Sequence, residues 1–224
     1  MKICLSFHTE RLHDDKTWSQ IKWLVELLNK FNIRAVWFSV NPTFFLYKEM
    51  GFDEKKWIER LKYLSSHNQK IEQHTTFYFK NKQECNLEPN YIRKRLLEDK
   101  KWLENHGHCI SGFVSGTWII NNDVINALNE LNYKYDCTAR MFNLNYLKNN
   151  PNQMIINNPI KIGNIWEIPT TAPVKYIFLK SKGNYKMVYL HDYDLNNFII
   201  RNLLKAFIIL NSKKQFVTPL ELNI

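Results

Sequence analysis

Three short segments pair histidine with hydroxyl or carboxyl neighbours: Phe7-His8-Thr9-Glu10, Gln73-His74-Thr75-Thr76 and Leu190-His191-Asp192. Each closes a run of apolar, β-prone residues, so each reads as the polar end of a strand. Imidazole and carboxylate together are ligands that divalent zinc, cobalt or nickel accepts. Imidazole also titrates near neutrality, so one histidine can move protons while others hold a metal. The chemistry this set suits is metal-assisted hydrolysis, in which a metal activates water and polarises a carbonyl oxygen. A single histidine at a strand end is ordinarily a satisfied structural residue; three, at ends that a closed sheet brings together, are harder to dismiss.

The elements that would position them alternate along the chain. Strand-like runs cover 3–7, 33–40, 70–74, 109–114, 133–137, 165–168 and 187–191, with a last one near 216–217. Helical periodicity covers 17–30, 55–64, 88–105, 121–131 and 195–210, and Asn121 or Asn122 is placed to cap the fourth helix. Repeated strand–helix units predict a parallel sheet, open or closed into a barrel, with its chemistry at the carboxyl ends of the strands. No repeat or Pro/Gly-rich linker divides the 224 residues, so one domain over 1–224 is expected.

Composition narrows the function classes. The run from Met1 enters an apolar strand without a signal-peptide pattern, and the longest apolar patch, Phe198 to Leu210, is broken by Arg201 and Lys205. A soluble, cytoplasmic protein with no transmembrane segment is the expectation. Cys4, Cys85, Cys109 and Cys137 are too far apart for a zinc ribbon or a redox pair, and Cys4, Cys109 and Cys137 read as buried thiols. The net charge of +10 leaves room for a peripheral membrane face or an anionic sugar intermediate. The basic residues are mostly scattered, and no aromatic-plus-basic binding module is present, so no nucleic-acid partner is expected.

The order of these segments resembles the polysaccharide deacetylase superfamily (NodB homology, carbohydrate esterase family 4). Leu5-Ser6-Phe7-His8-Thr9-Glu10 stands where that family has T-F-D-D, and Ala35-Val36-Trp37-Phe38-Ser39-Val40 resembles its A-T-F-F-V strand. Lys70-Ile71-Glu72-Gln73-His74-Thr75 is similar to E-I-G-N-H-T, and Gly112-Phe113-Val114-Ser115-Gly116-Thr117 takes the place of F-R-x-P-x-G. Leu131-Asn132-Tyr133, Leu190-His191-Asp192 and Phe216-Val217-Thr218 follow, like L-G-Y, L-H-D and F-V-T.

The resemblance implies a deformed (β/α) barrel of about seven parallel strands. It also implies a metal-dependent hydrolase that removes an N-acetyl or other acyl group from a sugar in surface polysaccharide biosynthesis. In that scheme His191, oriented by Asp192, donates a proton to the leaving amine, and His8 or Glu10 is the base. Glu10, His74 and His8 supply the ligands of a divalent metal, zinc first. The departures are specific: Tyr78 replaces the second histidine of H-x-x-x-H, and Val114 stands in the place of the motif arginine. The alternative is a catalytically degenerate protein on the same fold that binds carbohydrate or a partner protein. Trp118, Tyr193 and Phe142 lie near strand ends where aromatic rings could stack on a sugar. His13, Asp14 and Asp15 either enter the site from the loop after the first strand or begin a solvated helix.

Overall fold

Seven consecutive residues, Ile3 to Thr9, are buried, as expected of a strand covered on both faces by its neighbours. The computed structural model describes residues 1–80, 84–143, 151–179 and 184–222. Its elements are β1 (Lys2–Thr9), α1 (Asp15–Lys30), β2 (Val36–Ser39), α2 (Phe45–Glu49), α3 (Glu54–Ser66), β3 (Lys70–Thr75), α4 (Pro89–Asn105) and β4 (Gly112–Ser115). There follow α5 (Asn122–Glu130), β5 (Tyr135–Asp136), β6 (Ile160–Ile162), β7 (Ile165–Glu167), β8 (Ala172–Pro173), β9 (Tyr185–His191) and α6 (Phe198–Leu210).

Two compact units emerge. The first comprises Met1–Phe38, Pro42–Ile71 and Thr171–Ile224, and its strands run in the order β2-β1-β9-β8. Parallel pairing of β1 with β9 sets Phe7 against Leu190 and His8 against His191. Helix α1 buries Ile21, Leu24, Val25 and Leu28, the i, i+3, i+4, i+7 stripe of an amphipathic helix. Asp14 caps it by accepting from the Thr17 amide at 2.7 Å, while Asp15 meets Lys56 and Arg60 and His13 stacks on Phe52. These three residues therefore serve the start of the helix.

The second unit comprises Ser39–Asn41 and Glu72–Thr170, with strand order β6-β7-β5-β4-β3. All its pairings are parallel except the β6–β7 hairpin. Glu72 is wholly buried and stitches β3 to the next strand. Its carboxylate accepts from the amides of Ser111 (2.8 Å) and Gly112 (2.7 Å), the Ser111 hydroxyl (2.8 Å) and the Tyr135 phenol (2.9 Å). Four donors on one carboxylate are what make its burial tolerable. The Tyr135 ring crosses directly over Gly112, where a side-chain carbon would come within 2.0 Å of it.

Several expectations shift. Nine strands appear among the described residues, and β6 and β8, three and two residues long, carry no period that announces them. The strand near 216–217 reduces to a bridge between Ile3 and Phe216. Helix α6 begins at Phe198 because Asp192–Asn196 form a 3-10 turn capped by His191. Cys4 and Cys137 are buried as expected; Cys109 is exposed, since β4 begins only at Gly112.

Gly112→Ala is expected to destabilise the protein by about 1–3 kcal/mol, because the added carbon must displace a ring pinned to Glu72. Tyr135→Phe, which leaves the ring and removes one donor, should cost about 1 kcal/mol. Urea denaturation of both variants checks the order; equal stability of Gly112→Ala and wild type would refute it.

Candidate active site

In the first unit, the register of β1 and β9 brings two of the predicted histidines side by side. The His8 and His191 rings stand edge to face with centroids 5.5 Å apart. His8 is 3% exposed and packed among Phe38, Tyr189 and His191. His191 is partly open, and its ring lies between two carboxylates. Nε2 is 4.0 Å from Glu10 Oε1, and Nδ1 is 3.7 Å from Asp194 Oδ2. Tyr193 covers one face of the ring, stacked at 4.9 Å and 7°, and remains 38% exposed itself.

The 3-10 turn after β9 explains this arrangement. His191 is its N-cap: the backbone N–H of His191 donates to Asp194 Oδ2 at 2.9 Å, and the Asp194 amide faces the His191 ring in return. Asp192, expected to orient His191, does something else. Its buried carboxylate accepts from the amides of Glu10 (3.1 Å), Arg11 (2.8 Å) and Tyr193 (2.9 Å). The carboxylate that meets the His191 ring and its amide is that of Asp194, two residues further on.

The charges follow from this packing. Burial alone would lower the His191 pKa, but the bond to Asp194 and the charges of Glu10, Asp194 and Asp192 carry it above its ordinary value. Burial alone would raise Asp194, yet its bonds to His191 and the His191 and Lys175 charges hold it below the usual carboxylate range. Burial pushes Asp192 up to about 7 against the pull of the Arg11 and Glu10 amides. Burial, with the Glu10 charge added, raises the Tyr193 phenol, which stays protonated.

The other predicted residues lie in the second unit. His74 is buried on β3 in register with Val114, and Gly116 passes close to its ring. Trp118 is buried beneath the Arg140 guanidinium (5.4 Å) and edge-on to Phe142 (6.2 Å), so its ring serves packing rather than an open sugar platform. A second pair of acids was missed. Asp136 and Glu167 face each other in the β5–β7 register, both wholly buried. Burial lifts Asp136 to about 6 and, with the Asp136 charge added, Glu167 well above its usual range. Strand-ending Tyr-Asp and Trp-Glu dipeptides are the signal that could have pointed to it.

Among the described residues, no group of three His, Cys, Asp or Glu side chains is arranged to hold a metal ion, and the expected set of His8, Glu10 and His74 is no exception. No such group is described for the implied zinc, and no step below runs through one.

No protein-family model matches the sequence, and no curated protein matches it. Solved structures do. A putative polysaccharide deacetylase from Mycobacterium smegmatis aligns with a TM-score of 0.67 at 12% identity, over 98% of this chain and 87% of that one. The chain has the polysaccharide deacetylase fold. On that fold a CE4 family pseudoenzyme from Bacillus anthracis matches with a TM-score of 0.60 at 10% identity, over 99% of this chain and 64% of the other. A 4-alpha-glucanotransferase from Thermococcus litoralis reaches 0.65 at 12% identity, over 99% of this chain and 40% of the other. The deformed barrel expected from the motifs is thus the architecture of these neighbours, and no described helix is long and apolar enough to cross a membrane.

Because the folded pKa of His191 is raised, its interaction with the carboxylates stabilises the fold below the free histidine pKa and is lost as pH rises through the folded value. Asp194, held low, contributes above the free carboxylate pKa and loses that contribution as pH falls through its folded value. An NMR titration of the His191 ring is expected to give a pKa above the free value of about 6.5. Asp194→Asn should move it down; an unchanged value would show that Asp194 does not hold the ring.

Proposed function

We propose that the chain removes an acyl group from a sugar, with His191 as proton donor to the leaving group and Glu10 as base. The observation that carries this reading is the His191 ring held between Glu10 and Asp194, with Nε2 turned to Glu10. Of the two bases the motif left open, Glu10 keeps a side chain 31% exposed while His8 is packed in. Accessibility favours Glu10, because a base must reach the water it deprotonates.

In the reaction, Glu10 takes a proton from water as its oxygen attacks the acyl carbonyl. His191, cationic through its two carboxylates, gives its Nε2 proton to the nitrogen as the C–N bond breaks. The products are a carboxylic acid and a free amino sugar. Tyr193 covers the ring and offers its outer face to a sugar, the stacking role that amphipathic aromatics fill. The structural neighbours described as a polysaccharide deacetylase, a CE4 pseudoenzyme and a glucanotransferase support a carbohydrate ligand. The sequence resemblance supports a setting in surface polysaccharide assembly.

A second reading is favoured by one specific observation: the three expected zinc ligands form no metal-holding group. On that reading the fold binds an acylated sugar without turning it over.

Release of acetate from a panel of N- and O-acetylated sugars tests the first reading. His191→Gln and Glu10→Gln are each expected to lower kcat by about 10²–10⁴-fold, and Tyr193→Ala mainly to raise KM. Added zinc should leave the rate unchanged. Saturable binding of the same sugars with no acetate released would decide for the second reading.

A further inference from the structure

Helix α6 contains no acidic residue and is apolar on more than one side. A helix in a water-soluble fold needs a single apolar stripe. Ile200, Leu204, Phe207 and Ile208 supply it at i, i+4, i+7 and i+8, and all four are buried. The outer stripe should then be polar. Instead it presents Phe198 and Ile199 at one end and Ile209 and Leu210 at the other, with Phe198 69% and Leu210 74% exposed.

The segment after β8 extends this surface. Tyr176, Phe178 and Leu179 are exposed, and the Phe178 ring packs on Phe207 of α6 at 5.8 Å. The segment is held in place: the buried Lys186 ammonium donates to the carbonyls of Ile177 and Leu179. Its polar backbone is thereby tied to β9 while its apolar side chains face water.

From Leu195 to Leu220 the chain carries Arg201, Lys205, Lys213 and Lys214 and neither aspartate nor glutamate. Lys175, Lys205, Lys213 and Lys214 are exposed. A second copy docking through the same face would bring a second set of the same lysines into one contact, and that like charge opposes a two-fold contact. An anionic lipid surface satisfies both features. Aromatic and aliphatic side chains enter the boundary between headgroups and acyl chains, while ammonium groups meet phosphates.

We propose that the outer stripe of α6, together with Tyr176, Phe178 and Leu179, seats the first unit on an anionic phospholipid surface. This docking is independent of the deacylase reading, since none of these side chains takes part in the chemistry at His191.

The test is co-flotation of the full 224-residue chain with vesicles of phosphatidylcholine alone or with roughly one-third phosphatidylglycerol added. Binding to the anionic vesicles is expected, about tenfold or more above the neutral ones and weakening as salt rises. Phe198→Ser/Ile199→Ser and Leu210→Ser should each reduce partitioning by about tenfold with the thermal midpoint unchanged. Lys213→Ala/Lys214→Ala should remove much of the anionic preference. Protein that stays in the aqueous fraction at low salt, or apolar variants that bind like wild type, would overturn the proposal. So would a dimer in sedimentation equilibrium that the same apolar substitutions dissociate, which would assign the face to a second copy.

Discussion

A carboxylate withdrawn from water has to be met by donors that the protein itself supplies, at a cost of several kcal/mol where it is not. Asp192 is wholly buried, and its donors are the amides of Glu10, Arg11 and Tyr193. Two of these belong to the chain leaving β1 and the third to the turn leaving β9. The carboxylate is therefore satisfied only when the two strands end level with each other. That condition is the register that sets His8 against His191. It also fixes where Glu10 stands, since the amide of Glu10 is one of the donors. The arrangement of His191, Glu10 and Tyr193 in the first unit rests on this clamp.

The clamp divides labour between two aspartates that the sequence places two residues apart. Asp192 turns inward and holds backbone; Asp194 comes round the 3-10 turn and meets the imidazole. A buried structural carboxylate gains from being immobile, and three amides immobilise it. A carboxylate that tunes a histidine gains from facing the ring while remaining partly solvated. The second unit uses the same inward device at Glu72, which binds the amides of Ser111 and Gly112. Asp136 and Glu167 solve the problem differently. With the Thr138 amide and hydroxyl on one acid and the Ala139 amide on the other, two adjacent buried acids are left facing each other, and burial pushes both carboxyls up, toward the neutral form.

These differences explain what could be read from the sequence. Apolar runs ending in histidine marked β1, β3 and β9 because strand burial writes itself in consecutive residues. The pairing of β1 with β9 and its register are tertiary and were not written in those runs. The direction of a side chain in the turn beyond a strand does not follow from adjacency. Asp192 looked like the partner of His191 because it is next to it, whereas the N-cap geometry of the turn selects the residue three positions on. Strand ends can be ranked from sequence, but convergence of several side chains on one point is a tertiary property. Trp118 was offered as a sugar platform because it lies near a strand end, and the Arg140 guanidinium laid over its buried ring shows the packing it serves. Tyr193, in the turn after β9, stacks on His191 and keeps its ring partly exposed.

Helix α6 shows how a surface can be set apart from the needs of the fold. Asn197 caps it through the amides of Ile199 and Ile200, and Arg201 ties it back to Gln20 and the Leu195 carbonyl. Its inner stripe already buries Ile200, Leu204, Phe207 and Ile208. The outer apolar residues add nothing to that packing, and scattered singly they would need no explanation. They are instead gathered at the two ends of one helix, beside an anchored loop of the same character, and the charges among them are all positive. A helix that is capped and packed without these side chains is free to use them outward, and a surface both apolar and cationic is poorly suited to water and well suited to anionic lipid.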